Sequence, residues 1–168
     1  MLIDDFSSAN GLSAMGTPWQ GFTDRVMGGR SDMQAGYIDA PDGAAMRLQG
    51  QVRLENSGGF IQARVPLDAK GQTFDASAFA AVAIRVRGKP GSYYLHLRTR
   101  DTSRPWQYYR AQIDLADEWQ DLIIPFSAFE GRSIRRELDL TALRSLGVVA
   151  YGEAFEAEID VARLEFVP

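Results

Sequence analysis

Side chains that could act as a nucleophile or a general base are scarce in this chain. The sequence has one histidine, His96, and no cysteine, so thiolate catalysis, disulfides and the usual zinc sites are excluded. No serine lies in a G-x-S-x-G turn that would supply a hydrolase triad around His96. The glycine pair in Met27–Ser31 is not a phosphate loop, because that loop needs glycine at Asp24 and lysine at Arg30. We therefore expect no catalytic site and no cofactor.

Carboxylates are numerous, and one series alternates near the C-terminus. Glu156, Glu158 and Asp160 would project from one face of one strand at a period of two residues. They could supply oxygen ligands to calcium, but we favour a solvated strand face and predict no metal site. A catalytic pair of carboxylates from distant parts of the chain stays open, because sequence spacing cannot reveal it.

The most unusual segment runs from Trp19 to Ser31 and reads W-Q-G-F-T-D-R-V-M-G-G-R-S. Adjacent glycines indicate a sharply turned loop, and we expect a positive φ at Gly29 above all. Asp24 could accept hydrogen bonds from backbone amides across this turn, while Trp19 and Phe22 bury one edge. The loop serves either the architecture or a partner, and its candidate residues are Trp19, Asp24, Arg25, Gly28, Gly29 and Ser31.

Strands are the elements that must position these residues. Alternating runs recur about every 8–12 residues, separated by turn residues, which is typical of a β-sandwich or barrel. The turns are expected at Pro41–Gly43, Asn56–Gly59, Gly88–Gly91, Ser103–Pro105 and Glu130–Arg132. The inward residues of the three clearest runs are Met46, Leu48, Val52 and Leu54; Val82, Ile84 and Val86; and Tyr93, Leu95 and Leu97. The pattern predicts one all-β domain spanning residues 1–168.

Helix should be scarce. Asp75–Ala80 and Leu138–Leu146 could each hold a turn or two, the second with Thr141 as its N-cap. The last strand changes parity between Ile159 and Leu164, and a β-bulge near Val161–Ala162 would account for the change.

Strand parity also predicts a candidate binding face. If Tyr93, Leu95 and Leu97 face the core, the residues between them face outward, together with alternate residues of the next strand. Exposed rings stack on sugars or partner side chains, and arginine binds carboxylates or phosphates. The alternative is that arginine stems merely cover half-buried rings. The residues of this predicted face are Tyr94, His96, Arg98, Trp106, Tyr108 and Arg110, with Arg85 added if the preceding strand pairs alongside.

Composition limits the partners. The formal net charge of −4 argues against nucleic-acid binding through a globally basic surface. No apolar run approaches the ~20 residues of a membrane span, and Met1–Phe6 has no features of a signal peptide. We therefore expect a cytoplasmic protein.

Five motifs, taken in order, resemble one known family. They are D-R-V-M-G-G-R-S (24–31), N-S-G-G-F (56–60), R-V-R-G with Tyr93–Leu95, W-Q-Y-Y-R-A (106–111) and W-Q-D-L-I-I-P-F-S-A-F (119–129). Together they are similar to the complex I intermediate-associated protein family. The resemblance implies a galactose-binding-domain-like jelly-roll β-sandwich that is related to carbohydrate-binding modules. It also implies kinship with mitochondrial assembly factors of respiratory complex I.

These observations predict a non-catalytic binding module that resembles an assembly factor. Its partner would be a protein, with respiratory-complex subunits among the candidates. The alternative is a carbohydrate-binding module that uses the predicted face to bind a glycan. A third class, an enzyme or small-ligand sensor built around His96, stays open.

Overall fold

The computed structural model describes residues 1–41 and 43–168, and the chain forms two stacked antiparallel sheets. Asp42, in the predicted turn Pro41–Gly43, lies outside the described residues. The strands in chain order are β1 (Leu2–Asp4), β2 (Gln20–Thr23), β3 (Asp32–Ala40), β4 (Gly43–Val52), β5 (Phe60–Pro66), β6 (Ala81–Gly88), β7 (Tyr93–Thr99), β8 (Tyr108–Ile113), β9 (Gln120–Pro125), β10 (Glu130–Arg132), β11 (Leu143–Tyr151) and β12 (Phe155–Val167).

The two sheets are built from strands that are far apart in sequence. Sheet A has the order β3-β4-β12-β6-β9, with β1 paired to β12. Sheet B has the order β10-β8-β7-β11-β5-β2. The predicted β-sandwich is therefore confirmed. Each sheet turns one face inward, and the core lies between them.

Alternation correctly identified the inward residues of the central strands. Tyr93, Leu95 and Leu97 are each 0% exposed and pack in the common core with Val86 of sheet A. One residue departs from the pattern: β4 ends at Val52, and Leu54 is 49% exposed. The inward residues of this strand therefore end at Val52, and the prediction that Leu54 also faces the core was wrong.

The helical expectations were mostly wrong. Asp75–Ala80 holds no helix. Within Leu138–Leu146, only Leu140–Ala142 is helical, as one 3₁₀ turn capped by Asp139 and not by Thr141. The residues from Leu143 onward belong to strand β11. The strand was not recognised because it is buried on both faces from Ser145, so its sequence lacks the alternation that would mark a strand. Further 3₁₀ turns lie at Asp24–Met27, Glu55–Ser57 and Phe126–Ala128.

The predicted bulge in β12 is confirmed. The register between β12 and β6 shifts between Val161 and Arg163. As a result Ile159, Val161, Leu164 and Phe166 all reach the core at 0% exposure, despite their change of parity. The bulge keeps the long C-terminal strand inside sheet A.

Candidate functional site

The outer face of sheet B carries one row of residues that runs across four strands. Arg110 of β8 lies opposite His96 of β7, and His96 lies opposite Gly147 of β11. Gly147 in turn lies opposite Arg64 of β5. Directly opposed residues share a face of the sheet. The row therefore places Arg110 on one side of the single histidine and Arg64 on the other, beyond Gly147.

Aromatic rings lie on both sides of this row. The rings of His96 and Tyr108 stack with their centroids 4.0 Å apart and an interplanar angle of 12°. Burial, followed by the neighbouring Tyr151, raises the pKa of Tyr108 to about 12. The phenol therefore stays protonated at neutral pH and can donate a hydrogen bond.

Guanidinium groups cover the faces of the other rings. Cζ of Arg110 lies 4.6 Å from the ring centroid of Tyr94 and 5.7 Å from that of Tyr151. Cζ of Arg64 lies 4.4 Å from the ring centroid of Phe22. These distances are typical of cation–π contacts. The contacts hold both arginine heads against aromatic rings of the sheet.

His96 is an unusual histidine. It lies on the outer face of the sheet, yet it is only 6% exposed, and its Nε2 has no hydrogen-bond partner among the residues that the structure describes. Burial first, and then the charges of Arg110, Arg98 and Arg64, lower the pKa of His96 to about 3. The imidazole is therefore neutral at physiological pH.

Arg98 fixes a loop and does not extend into solvent. Its guanidinium donates hydrogen bonds of 2.8–3.1 Å to four backbone carbonyls in the connection between β7 and β8. These carbonyls belong to Thr102, Arg104, Pro105 and Gln107. The same connection carries Trp106, which is 61% exposed. Arg98 therefore positions the loop that carries Trp106. A direct contact between Arg98 and a partner stays a prediction.

Arg85 does not belong to this face. Strand β6 lies in sheet A, where Arg85 pairs with Arg163 of β12 and Asp121 of β9. Its guanidinium donates to Asp121 over 3.1 Å. The expectation that β6 extends the β7–β8 face was wrong because the short connection Gly88–Gly91 passes from one sheet to the other. A short loop need not close a hairpin.

The glycine-containing loop is organised around Asp24, which is 0% exposed. Its carboxylate accepts hydrogen bonds from the backbone amides of Ser31 (2.9 Å) and Gly59 (2.6 Å), and from the Ser31 hydroxyl. Burial alone would raise the pKa of Asp24, but these hydrogen bonds hold it below its usual value. The expected acceptance of backbone amides is present, and it extends to the start of β5.

The two glycines of this loop differ in why they are needed. Gly28 has φ +86°, in the left-handed region. Gly29 has no positive φ; a Cβ there would lie 2.6 Å from Oδ1 of Asp24. The expectation of a positive φ at Gly29 was therefore wrong. Close approach to a buried carboxylate is what excludes a side chain at that position.

The remaining loop residues have separate tasks. Arg25 donates from Nε to the Ser31 carbonyl (2.9 Å) and forms an exposed ion pair with Asp32 (2.6 Å). Trp19 does not cover the turn: its ring packs on Phe6 and its indole N–H donates to Asp4 over 2.8 Å. The structure brings Asp24, Arg25, Gly29 and Ser31 together and sets Trp19 apart.

The outer face of sheet A is polar. Asp160 is 2% exposed and accepts hydrogen bonds from Arg47 (2.8 and 3.0 Å) and Arg87 (2.9 Å). The prediction of a solvated strand face was therefore wrong at this residue. A trough of ≈670 Å³ also opens on sheet A, and its lining residues include Gln34, Gln49, Gln51, Glu156 and Glu158. In the described part of the chain, no group of three or more His, Asp or Glu side chains is placed to hold a metal ion.

Sequence reasoning missed Arg64, Phe22 and Tyr151 on the sheet B face. Alternation around Arg64 was available, since Ile61, Ala63 and Val65 are buried beside it. However, β5 pairs with β11, which lies about 80 residues further along the chain. No local pattern indicates that pairing.

Among the described residues, no helix has the length and apolar character needed to cross a bilayer.

Residues 5–160 match the family model described as complex I intermediate-associated protein 30. No curated protein matches the chain in sequence at a significant level. The match covers most of the chain and contains both the Asp24 loop and the sheet B row.

Solved structures with the same fold include carbohydrate-binding modules. A family 11 module of a cellulosomal cellulase from Clostridium thermocellum aligns with TM-score 0.78 and 14% identity, over 99% of this chain and 93% of that one. A family 30 module from the same organism aligns with TM-score 0.66 and 13% identity, over 89% and 90%. An exo-β-agarase aligns with TM-score 0.65 and 9% identity, over 99% of this chain and 25% of its own length. At these identities the similarity establishes the fold.

Proposed function

Because the chain belongs to the complex I intermediate-associated protein 30 family, we propose that it is a non-catalytic module that binds a partner protein through the outer face of sheet B. The contact residues are Tyr94, His96, Tyr108 and Arg110, with Trp106 at the edge. The single observation that carries the proposal is the covering of ring faces by guanidinium groups on this side of the sandwich.

Those covered rings favour a protein partner over a sugar. A sugar ring stacks on an open aromatic face. Here the face of Tyr94 is covered by Arg110, and that of Phe22 by Arg64. What a partner meets is a set of guanidinium edges, which bind carboxylates in a bidentate way. Arginine and aromatic residues together are also enriched among the residues that dominate protein interfaces.

The charge on this face supports the same conclusion. Within the described part of the chain, neither Arg64 nor Arg110 has a carboxylate within 4.0 Å, whereas Arg47, Arg87 and Arg163 of sheet A are paired. An unpaired cationic face complements an acidic surface, increases the rate of encounter and weakens binding as salt is added.

A glycan is the second candidate, on one specific ground. The same fold occurs in a family 11 module whose structure holds a β-1,3-1,4-mixed-linked tetrasaccharide, and Trp106 offers an open ring. The trough of sheet A has no aromatic residue in its lining among those that the structure describes. A glycan would therefore have to use Trp106 and displace arginine heads from the neighbouring rings.

Affinity capture from extract of the source cell tests the proposal. Wild-type domain, the double variant Trp106→Ala/Arg110→Ala and the control Arg163→Ala are immobilised in parallel, and captured proteins are identified by mass spectrometry. We expect proteins, with respiratory-complex subunits among them, that bind wild type and the control and are lost from the double variant. Equal capture by all three variants, or binding on a glycan array without protein capture, would contradict the proposal.

A further inference from the structure

We propose that Arg64, His96 and Arg110 form a seat for a single carboxylate from an acidic side chain of the partner protein. The inference rests on the proposed function, because it names the chemical group that the sheet B face recognises. Arg64 and His96 are far apart in sequence, and they are brought into one row because both lie opposite Gly147 of β11.

The register builds the seat. Arg110, His96, Gly147 and Arg64 follow one another across β8, β7, β11 and β5. Three strand spacings separate the two arginine backbones by about 14 Å, which two arginine side chains can span toward a shared ligand. Gly147 contributes no side chain between them. Gln62 leans over this glycine, with Oε1 3.1 Å from the position a Cβ would take.

Among residues 1–41 and 43–168, each member of the seat lacks a hydrogen-bond partner for its side chain. Nε2 of His96 is buried and finds no partner there. In the described part of the chain, neither Arg64 nor Arg110 makes a hydrogen bond or an ion pair; the Arg64 guanidinium lies over the Phe22 ring, and that of Arg110 lies over the rings of Tyr94 and Tyr151. Arg64 is half-buried, so its unpaired donors are costly in isolation. Three unpaired groups in one row indicate a ligand that accepts hydrogen bonds.

The charge of the site specifies an anion. Arg64, Arg98 and Arg110 all act on His96, and each lowers its pKa. Arg98 is held by loop carbonyls, so its charge contributes while its donors are occupied. A carboxylate could accept from both guanidiniums, and it would offset the local positive charge. It reaches the buried Nε2–H tautomer of His96 only when the side chains that cover Nε2 move aside.

Arginine contacts explain why the anion is a side chain of a protein and not a sugar acid. A uronic acid would bring a ring that needs a stacking surface beside the seat. The ring of Tyr108 is stacked on His96, and the rings of Tyr94 and Phe22 already carry guanidinium groups. A glutamate or aspartate brings only its carboxylate and a narrow aliphatic stem.

The single histidine makes the seat directly observable. Ring ¹H–¹⁵N NMR correlations of histidine-labelled protein contain one residue, because the chain has one histidine. The probe is an acetylated hexaglutamate peptide, with hexaglutamine as its uncharged match. We expect a saturable shift of the His96 Nε2 signal with hexaglutamate alone, and an affinity that falls with added salt.

Variants define the partners of His96. Arg64→Gln and Arg110→Gln should each weaken hexaglutamate binding about 10-fold, whereas Arg163→Gln on sheet A should leave it unchanged. Amide spectra show whether each variant is folded, and Arg64→Lys supplies a second variant that retains charge. The inference is wrong if hexaglutamine shifts the signal equally, or if only inorganic phosphate or polygalacturonate shifts it.

The two proposals fail in different ways. If captured proteins depend on Trp106 and Arg110 but hexaglutamate leaves the His96 signal unmoved, sheet B binding holds and the carboxylate seat is wrong. If hexaglutamate binds but no protein is captured, carboxylate binding at the seat holds, while the protein-binding function and the assignment of the carboxylate to a partner protein are wrong.

Discussion

Lowering the pH from 7 to 5 should destabilise the protein through His96. The imidazole has an ordinary pKa near 6.5 in the unfolded chain, and burial with three neighbouring arginines lowers its pKa to about 3 in the fold. A base whose pKa is lower in the folded state stabilises the fold fully above the unfolded pKa. That stabilisation is lost as the pH falls from about 6.5 toward about 3, since the unfolded chain then binds a proton that the folded chain does not.

The magnitude follows from the width of this interval. Each pH unit below the unfolded pKa removes about 1.4 kcal/mol. At pH 5 the loss is about 2 kcal/mol of the free energy of unfolding, and nearly all of it arises below pH 7. His96 is buried, so solvent screening removes little of this amount.

Urea unfolding of wild type and His96→Gln, followed by tryptophan fluorescence at pH 7, 6 and 5, measures the effect. Wild type should lose about 2 kcal/mol more than the variant between pH 7 and pH 5. Acidic residues such as Asp24 contribute equally to both proteins and cancel in the comparison. The buffers must contain no carboxylate, which could occupy the seat beside His96. Parallel pH profiles for the two proteins would refute the assignment of a buried, neutral imidazole.

Substitutions at four further positions test the architecture around the site. Gly29→Ala should destabilise the fold by about 2–3 kcal/mol because the new Cβ would overlap the Asp24 side chain. Gly28→Ala should cost about 1 kcal/mol because Gly28 has a left-handed φ. Thermal unfolding equal to that of the control Gly36→Ala would contradict both predictions. Asp24→Ala should cost about 3 kcal/mol or more, since it leaves buried donors of Ser31 and Gly59 unpaired, while exposed Asp39→Ala should change urea unfolding little. Arg98→Ala should loosen residues 102–107, which would be measured as faster amide hydrogen exchange in that loop. Arg98→Lys should not restore protection, because one ammonium cannot replace a guanidinium bound to four carbonyls. Unchanged exchange in Arg98→Ala would show that Arg98 does not hold the loop.

Local patterns carried the sequence interpretation as far as individual strands. The outward parity of Tyr94, His96 and Arg98 follows from the burial of Leu95 and Leu97, and the sequence contains that information directly. The bulge in β12 was equally predictable, because its apolar residues change parity once. The family motif also indicated the fold, and the family model confirms that membership.

Long-range pairing limited the rest. Strand β11 is buried on both faces from Ser145 to Ala150, so its sequence does not alternate, and its start was mistaken for helix. Without β11 in place, the proximity of Arg64 to His96 cannot be inferred. Arg85 was assigned to the wrong sheet for a related reason: hydrogen-bond partners of β6 come from β9 and β12, which a local pattern does not identify.

Photo-crosslinking in the source cell tests the binding face most directly. The crosslinking amino acid p-benzoylphenylalanine replaces Trp106 on the sheet B side, Met27 at the exposed tip of the Asp24 loop, or Arg163 on sheet A, in three otherwise identical proteins. All three positions are solvent-exposed, so each can report a contact without disturbing the core. We expect a discrete protein adduct from position 106 and none from position 163. An adduct from position 27 or 163 with none from position 106 would show that the partner binds elsewhere.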